Sequence, residues 1–516
     1  MLRHLLRCAE NHFLTESKNT HIPVDTSKFS LLTNKWIAFS AIAVSFFTMV
    51  ASMGMVFIAL TQMADTFGVT LRSASWIVIV QGLIISAFML PMGRMADIIG
   101  RKKVHLIGLV FFASGSVFTA LAPSFGLLIM ARIVTAIGNS MSQSVGTAMV
   151  LSVFPPSERG KAIGAQTTAV AIGGAVGPVI AGIVLEFLTW PALFLMLTIP
   201  IVIAFIAGYF ILDEKTVSQQ TNGQNQNFDW MGAIISGLLI TVVVVLINNP
   251  INLAIMSPMM LSAVTSTLIL SCFFIWWELR CVSPMLQIRM FSNVMFSMAV
   301  ATRFLGFLGT TTVRFLMPVY LISLRDVEEA LAGGILFITS LGMAVAASTS
   351  GRMGDKLGER PFTVLGFLML VATALAFMSF TGETPFWIIN IVLILNGLAM
   401  GLWGVPNNST ILGSVPRESF GVVGALTNLT RNVGNVAGQA VASAVVVGIM
   451  VSDGFDIPLS DINGNSGASD SFMRGWRYAY GLVTVFALIG LVLAIFTRTS
   501  NTEKQTEPQD ANSPAQ

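Results

Sequence analysis

Charge is what this 516-residue chain lacks: 10% of its residues are charged and 54% are hydrophobic. An average soluble domain carries about 25% charge. So little charge excludes an ordinary water-facing surface, and burial of the apolar runs in lipid resolves the conflict. The formal net charge of +3 is too small to point to nucleic acid. Three cysteines, Cys8, Cys272 and Cys281, follow no metal or redox spacing, which argues against a disulfide framework. Histidine is nearly as rare. His4, Cys8 and His12 recur at intervals of four and would align on one face of a helical tail. Three ligands in a mobile tail read as coincidence, so no metal site is expected. The chain also lacks a nucleotide loop, a nucleophile–base pair and a membrane carboxylate–histidine cluster, so neither an enzyme nor a cofactor is expected. Its first 35 residues are mixed polar and charged, without the apolar core of a cleaved signal peptide, and the first long apolar run must itself insert.

Apolar runs are what the chain has. At roughly 20 apolar residues per crossing, spans read at 36–61, 75–93, 104–122, 126–153, 162–187 and 191–212. A Gln/Asn-rich linker follows at 216–229. Further spans read at 230–248, 258–278, 294–322, 329–350, 361–380, 386–412, 420–451 and 477–497, about fourteen helices in all. The tail after Thr499 is polar and expected to be disordered. With both termini cytoplasmic, most Lys and Arg fall on the cytoplasmic side, while Arg72, Arg325, Arg474 and Arg477 fall outside. Arg132, Arg303, Arg314 and Arg431 lie within spans. Most tryptophans, Trp190 and Trp476 among them, fall near span ends, where the headgroup zone favours amphipathic rings. Trp403 is inside the twelfth span.

Two stretches occur twice. GRMADIIGRKK (93–103), read as a charged loop, is echoed by GRMGDKLGER (351–360), and Asp97–Asp355 and Gly100–Gly358 are both 258 residues apart. PPSERGKAIGAQT (155–167) is echoed by VPRESFGVVGALT (415–427) at an offset of 260. Duplicated bundles meeting at a central site are a mark of secondary transporters. The expected layout is a tail at 1–35, six-helix bundles at 36–212 and 293–498, a linker and two inserted helices at 213–292, and a tail at 499–516.

The first of these stretches, G-x-x-x-D-x-x-G-R-K-K, resembles the loop signature of the major facilitator superfamily. Gly93 would let helices approach, Gly100 would permit a tight turn, and Asp97 could pair with the basic cluster or face a helix N-terminus. The resemblance implies a cytoplasmic gate built from Gly93, Asp97, Gly100, Arg101 and Lys102 and their echoes Gly351, Asp355, Gly358 and Arg360. Arg132 and Gly138 match the family's fourth-helix pattern. GGAVGPVIAG, with Gly173, Gly177, Pro178 and Gly182, is similar to its antiporter signature, where small residues and a proline allow close packing and a bend. PMLQIRMFSN (284–293), FLMPVYLISL (315–324) and the inserted pair look like the fourteen-helix drug:proton antiporter branch. The implied fold is all-α and integral to the membrane: two six-helix bundles plus two inserted helices. In the first helix, Ser52 stands where the family commonly has an aspartate.

Arg303 and Arg314, eleven residues apart, share a face of the ninth span, while span interiors hold hardly any acids. A cavity rich in arginine favours anionic or neutral cargo, although Arg314 could instead snorkel outward and Arg303 pair locally. Ser52, Gln81, Arg132, Asn139, Gln143, Arg303, Arg314, Asn396, Trp403, Asn407 and Arg431 are the candidates for cargo or coupling; the amides among them could equally be helix–helix glue. The expected function is secondary transport of an amphiphilic small molecule across the cell membrane by alternating access, as efflux by proton antiport. Uptake, proton-independent facilitation and a transporter-derived sensor stay open. The expected partners are the cargo, protons and lipid; no nucleic acid is expected, and nothing in the sequence specifies a periplasmic adaptor.

Overall fold

The computed structural model describes residues 35–497 apart from 70, 75, 218–227, 249–256, 417–418, 456–461 and 463–465. The His4–Cys8–His12 pattern, both tails and most of the 216–229 linker lie outside the described residues. Fourteen long helices follow in chain order: α1 Lys35–Phe67, α2 Trp76–Ile99, α3 Arg101–Ala120, α4 Phe125–Val153, α5 Arg159–Phe187, α6 Trp190–Ile211, α7 Trp230–Asn248, α8 Pro258–Arg280, α9 Val294–Pro318, α10 Glu329–Leu357, α11 Arg360–Met378, α12 Phe386–Gly413, α13 Phe420–Ser452 and α14 Ser466–Phe496. The described residues contain no strand. In hydrocarbon every backbone polar group must be satisfied within the protein, which is why the apolar runs become helices. Among the described residues, thirteen helices are long and apolar enough to cross a bilayer; α7, apolar over Trp230–Leu246, is shorter by that measure.

Side chains start several helices. Ser124 accepts a hydrogen bond from the Leu127 N–H at 3.4 Å, and Ser257 accepts one from Met260 at 3.2 Å. Asp229 accepts from Gly232 at 2.8 Å. Each satisfies a donor that the first helical turn leaves free. Outward faces carry large apolar side chains such as Phe187, Phe210 and Trp387, a surface that suits lipid and not water.

Within α1–α6, α3 packs on α4 and α6, α2 on α4, and α1 on α5 and α6. Within α9–α14, α10 and α11 pack on α12, α9 on α13 and α14, and α11 on α14. The two groups meet along α5–α10, α2–α13 and α4–α13, and α7 lies against both α2 and α13.

Two expectations change. The charged loop at 93–103 shrinks to one residue: α2 runs on to Ile99, Gly100 turns with φ 106°, and α3 begins at Arg101. Gly358 repeats this with φ 87°; a side chain would be strained in that region of φ. The second change is α14, which starts eleven residues before its apolar run because it includes the polar stretch SGASDSFMRG. Arg474 and Arg477 are therefore helical, and Trp476 is fully buried with its indole donating to the Phe377 carbonyl at 2.6 Å. Trp190 is buried too, bonded to Thr66 at 3.0 Å, whereas Trp36, Trp230, Trp276 and Trp387 are exposed.

Candidate functional site

The duplicated acids each reach across to the other group of helices. Asp355, near the end of α10, accepts hydrogen bonds from the Gly160 N–H at 2.7 Å and the Lys161 N–H at 2.9 Å, in the first turn of α5. Asp97, near the end of α2, accepts from the Val422 N–H at 3.3 Å, in the first turn of α13. It also holds Arg101 at 3.2 and 3.3 Å. Both expected partners of Asp97, the basic cluster and a helix N-terminus, are present at once. An anion there meets free amide donors and the positive end of the helix dipole. Glycines bring the backbones close enough for this. A methyl on Gly351 would strike the Gly160 carbonyl, and one on Gly93 would lie 2.7 Å from Ala425 Cβ.

The basic residues of the two motifs behave differently. The residue 258 after Arg101 is Glu359, which accepts from Ser409 at 3.0 Å. Lys102 donates to the Tyr209 carbonyl at 2.9 Å near the end of α6, and Arg360 donates to Ile495 near the end of α14. These cations complement the C-terminal ends of helices within their own halves and do not touch the acids.

About 12 Å further in, by the rise of the helices, a second tier crosses between the halves. Thr168 meets Ser348 at 2.9 Å and the Ala344 carbonyl at 3.2 Å. The Gln143 side-chain oxygen accepts from Arg431 at 2.8 Å, its backbone carbonyl accepts from Asn428 at 3.0 Å, and its amide donates to Asn139 at 2.6 Å. Sequence reasoning named Arg431, Gln143 and Asn139 but not their junction, because residues nearly 300 positions apart carry no signal of contact.

Arg431 is within electrostatic range of both Arg303 and Arg314. Arg303 donates from Nε to the Thr427 carbonyl at 2.9 Å and lies over the Phe307 ring at 5.1 Å. Arg314 touches Met400 Sδ at 3.7 Å; its side chain is exposed, yet Met400 is buried. Among the described residues none of these three arginines is in an ion pair. Arg132 is buried apart from them, donating to Gln81 and lying 5.2 Å from the Phe194 ring, with Nε and Nη1 unpartnered.

Several of the remaining candidates contact neighbouring helices. Asn396 donates to Thr373 at 3.3 Å and Asn407 to the Ala299 carbonyl at 2.9 Å. Trp403 is fully buried against Gly306, Phe307 and Phe367. Gly173 and Gly177 face Phe47 and Ala51 of α1, and Pro178 faces Gly54, while nothing lies within 4 Å of a methyl placed on Gly182. α5 stays helical through Pro178. Ser52 is fully buried and its hydroxyl has no partner. Acids are scarce in the spans but not absent at their ends: Glu278, at the last turn of α8, is buried.

The family described as the Major Facilitator Superfamily matches residues 42–439. The riboflavin transporter RibZ of Clostridioides difficile is 26% identical over 463 residues, covering 90% of this chain and 97% of that protein. The multidrug efflux pump LfrA of Mycolicibacterium smegmatis is 23% identical, covering 86% and 87%. Among solved structures, that of the human organic anion transporter MFSD10 superposes with a TM-score of 0.66 at 14% identity, covering 89% of this chain and 99% of the other.

Proposed function

The chain belongs to the Major Facilitator Superfamily, and from that membership we propose that it exports an anionic amphiphile by alternating access, in exchange for protons. It is a multi-pass membrane transporter and not an enzyme. The observation that carries the cargo class is the grouping of Arg303, Arg314 and Arg431 without a carboxylate partner among the described residues. Unneutralised guanidiniums in a low-dielectric setting favour a ligand that brings the missing charge. Export is supported by the fifth-helix motif and by the likeness to LfrA, named as an efflux pump. The charge bias supports a cytoplasmic position for the Gly100 end and both termini.

The same residues supply a mechanism. The capped helices of the outer tier and the Gln143 tier hold the Gly100 end closed. An anion entering beside Arg431 competes with Gln143 for its guanidinium and so loosens a contact between the halves. Cargo binding and gate opening then draw on one side chain. Ser52, which cannot carry a proton, favours a second reading: facilitated transport without proton exchange.

Proteoliposomes offered matched organic anions and cations test the proposal. Saturable anion flux is expected, lowered by about ten- to a hundredfold in Arg431→Ala, since one charge-assisted hydrogen bond is worth about 1.5–3 kcal/mol. Cation transport, or anion flux unchanged in the Arg303→Ala, Arg314→Ala and Arg431→Ala variants, would overturn it. Cargo-linked pH change inside the vesicles separates proton exchange from facilitation.

A further inference from the structure

The inserted helices carry a feature the transport cycle described so far does not use. Asp229 caps α7 and Glu278 lies in the last turn of α8; both are buried, Glu278 to 3% exposure. The Trp277 indole donates to both Asp229 oxygens at 3.1 Å. Glu278 accepts from the Leu286 N–H at 3.1 Å through Oε2, while its Oε1 has no partner. The two acids share one pocket: a methyl on Gly232 would fall against Asp229 Oδ2 and Glu278 Oε1 together.

Among the described residues, Arg94 on α2 acts on Glu278, and Cys281, just after α8, is in range of both acids. Burial, then the neighbouring carboxylates, raise the Cys281 thiol, so it stays neutral. Arg94 acts on Glu278 and is also in range of Asp97, with its Nε buried and unpartnered. Two adjacent buried carboxylates do not readily ionise together. A donor is also missing at Glu278 Oε1, and a proton there would supply it.

We propose that Asp229 and Glu278 form a proton-binding site that sets the gate through Arg94. This rests on the alternating-access reading above and supplies the acid that Ser52 does not. With a proton on Glu278 Oε1, the pair carries one negative charge and Arg94 serves Asp97, whose cap on α13 holds. When that proton leaves to water at the Gly100 end, where nearby Val282 is exposed, the pair carries two charges and draws Arg94 away. The Asp97 cap then weakens. α7 lies against both α2 and α13, so the site adjoins the contact it controls.

Two measurements on the full-length purified protein, without cargo, test this. The first is infrared spectroscopy across pH 5–9. The wild type should show a carboxylic-acid C=O band that disappears on alkalinisation, lost in Glu278→Gln and moved from its wild-type midpoint in Asp229→Asn. The second is the distance between spin labels at Lys103 and Lys356, both exposed near the Gly100 end. Its long-distance population should rise with pH in the wild type and lose that dependence in Glu278→Gln and Arg94→Gln. A band that persists in Glu278→Gln, or no titrating band, overturns the site; pH dependence unchanged in both variants overturns its control of the gate. Neither readout needs flux, so a titrating site in vesicles that never exchange protons would refute antiport and leave the site standing.

Discussion

Replacing Asp355 by alanine should open the Gly100 end, and the size of the effect follows from its contacts. The carboxylate accepts two backbone N–H bonds, at 2.7 and 2.9 Å, from a helix in the other half. Hydrogen bonds to a charged acceptor contribute about 1.5–3 kcal/mol each. Asp355 is half-buried, so the low end applies and the pair is worth about 3 kcal/mol. At roughly 1.4 kcal/mol per tenfold, the closed-to-open ratio should fall about a hundredfold. Asp97 makes one longer cross-half bond, at 3.3 Å, and Asp97→Ala should cost about 1–2 kcal/mol, roughly tenfold. The Lys103–Lys356 label pair, with Cys8, Cys272 and Cys281 replaced by serine, reads both by electron–electron resonance. Asp355→Asn keeps one acceptor without charge and should fall between wild type and Asp355→Ala. Distance distributions that match wild type in Asp355→Ala and Asp97→Ala, from monodisperse protein, would refute the claim that these caps hold the end shut.

Other substitutions probe separate parts of the argument. Gly351→Val should destabilise the closed state and lengthen the same label distance, because its side chain would enter the Gly160 backbone; an unchanged distance would count against backbone contact across the halves. Gly177→Ala should lower the unfolding temperature and impair flux, since its methyl would lie 2.9 Å from Ala51 Cα, while Gly182→Ala, with open space around it, should be silent in both assays. Equal effects would contradict the packing role given to the motif. Ser52→Ala removes a buried hydroxyl without a partner, so thermal stability should hold or rise by about 1 kcal/mol and flux should be retained; a tenfold loss of flux would instead mark that hydroxyl as a ligand.

Much of this was legible in one dimension. Hydropathy alone separated fourteen helices, and the echo at 258 residues located two glycine breaks whose backbone angles prove alike. A polar run hid the start of α14, because helix continuation past Arg474 depends on contacts with α11 that no local pattern records. The repeat also misled in part. It suggested that Lys102 and Arg360 belong with Asp97 and Asp355, yet each holds the end of the last helix in its own half. The Gln143 tier and the Asp229–Glu278 pair were invisible for a common reason: each joins residues distant in the chain that become neighbours only once helices cross. Trp403, singled out as an unusual side chain mid-span, is buried against Gly306, Phe307 and Phe367 with its indole N–H unpartnered.

The position of α7 has a consequence for how cargo gets in. The two acid caps repeat each other across the molecule, but the seams they close do not have equal flanks. Along α2 and α13 an extra helix lies against both sides of the joint; α5 and α10 meet as members of the two bundles themselves. A molecule dissolved in the bilayer and moving sideways would meet a shuttered wall at the first seam. Lateral entry, if the cargo uses it, belongs to the α5–α10 side, so a transporter duplicated in sequence would load from one flank.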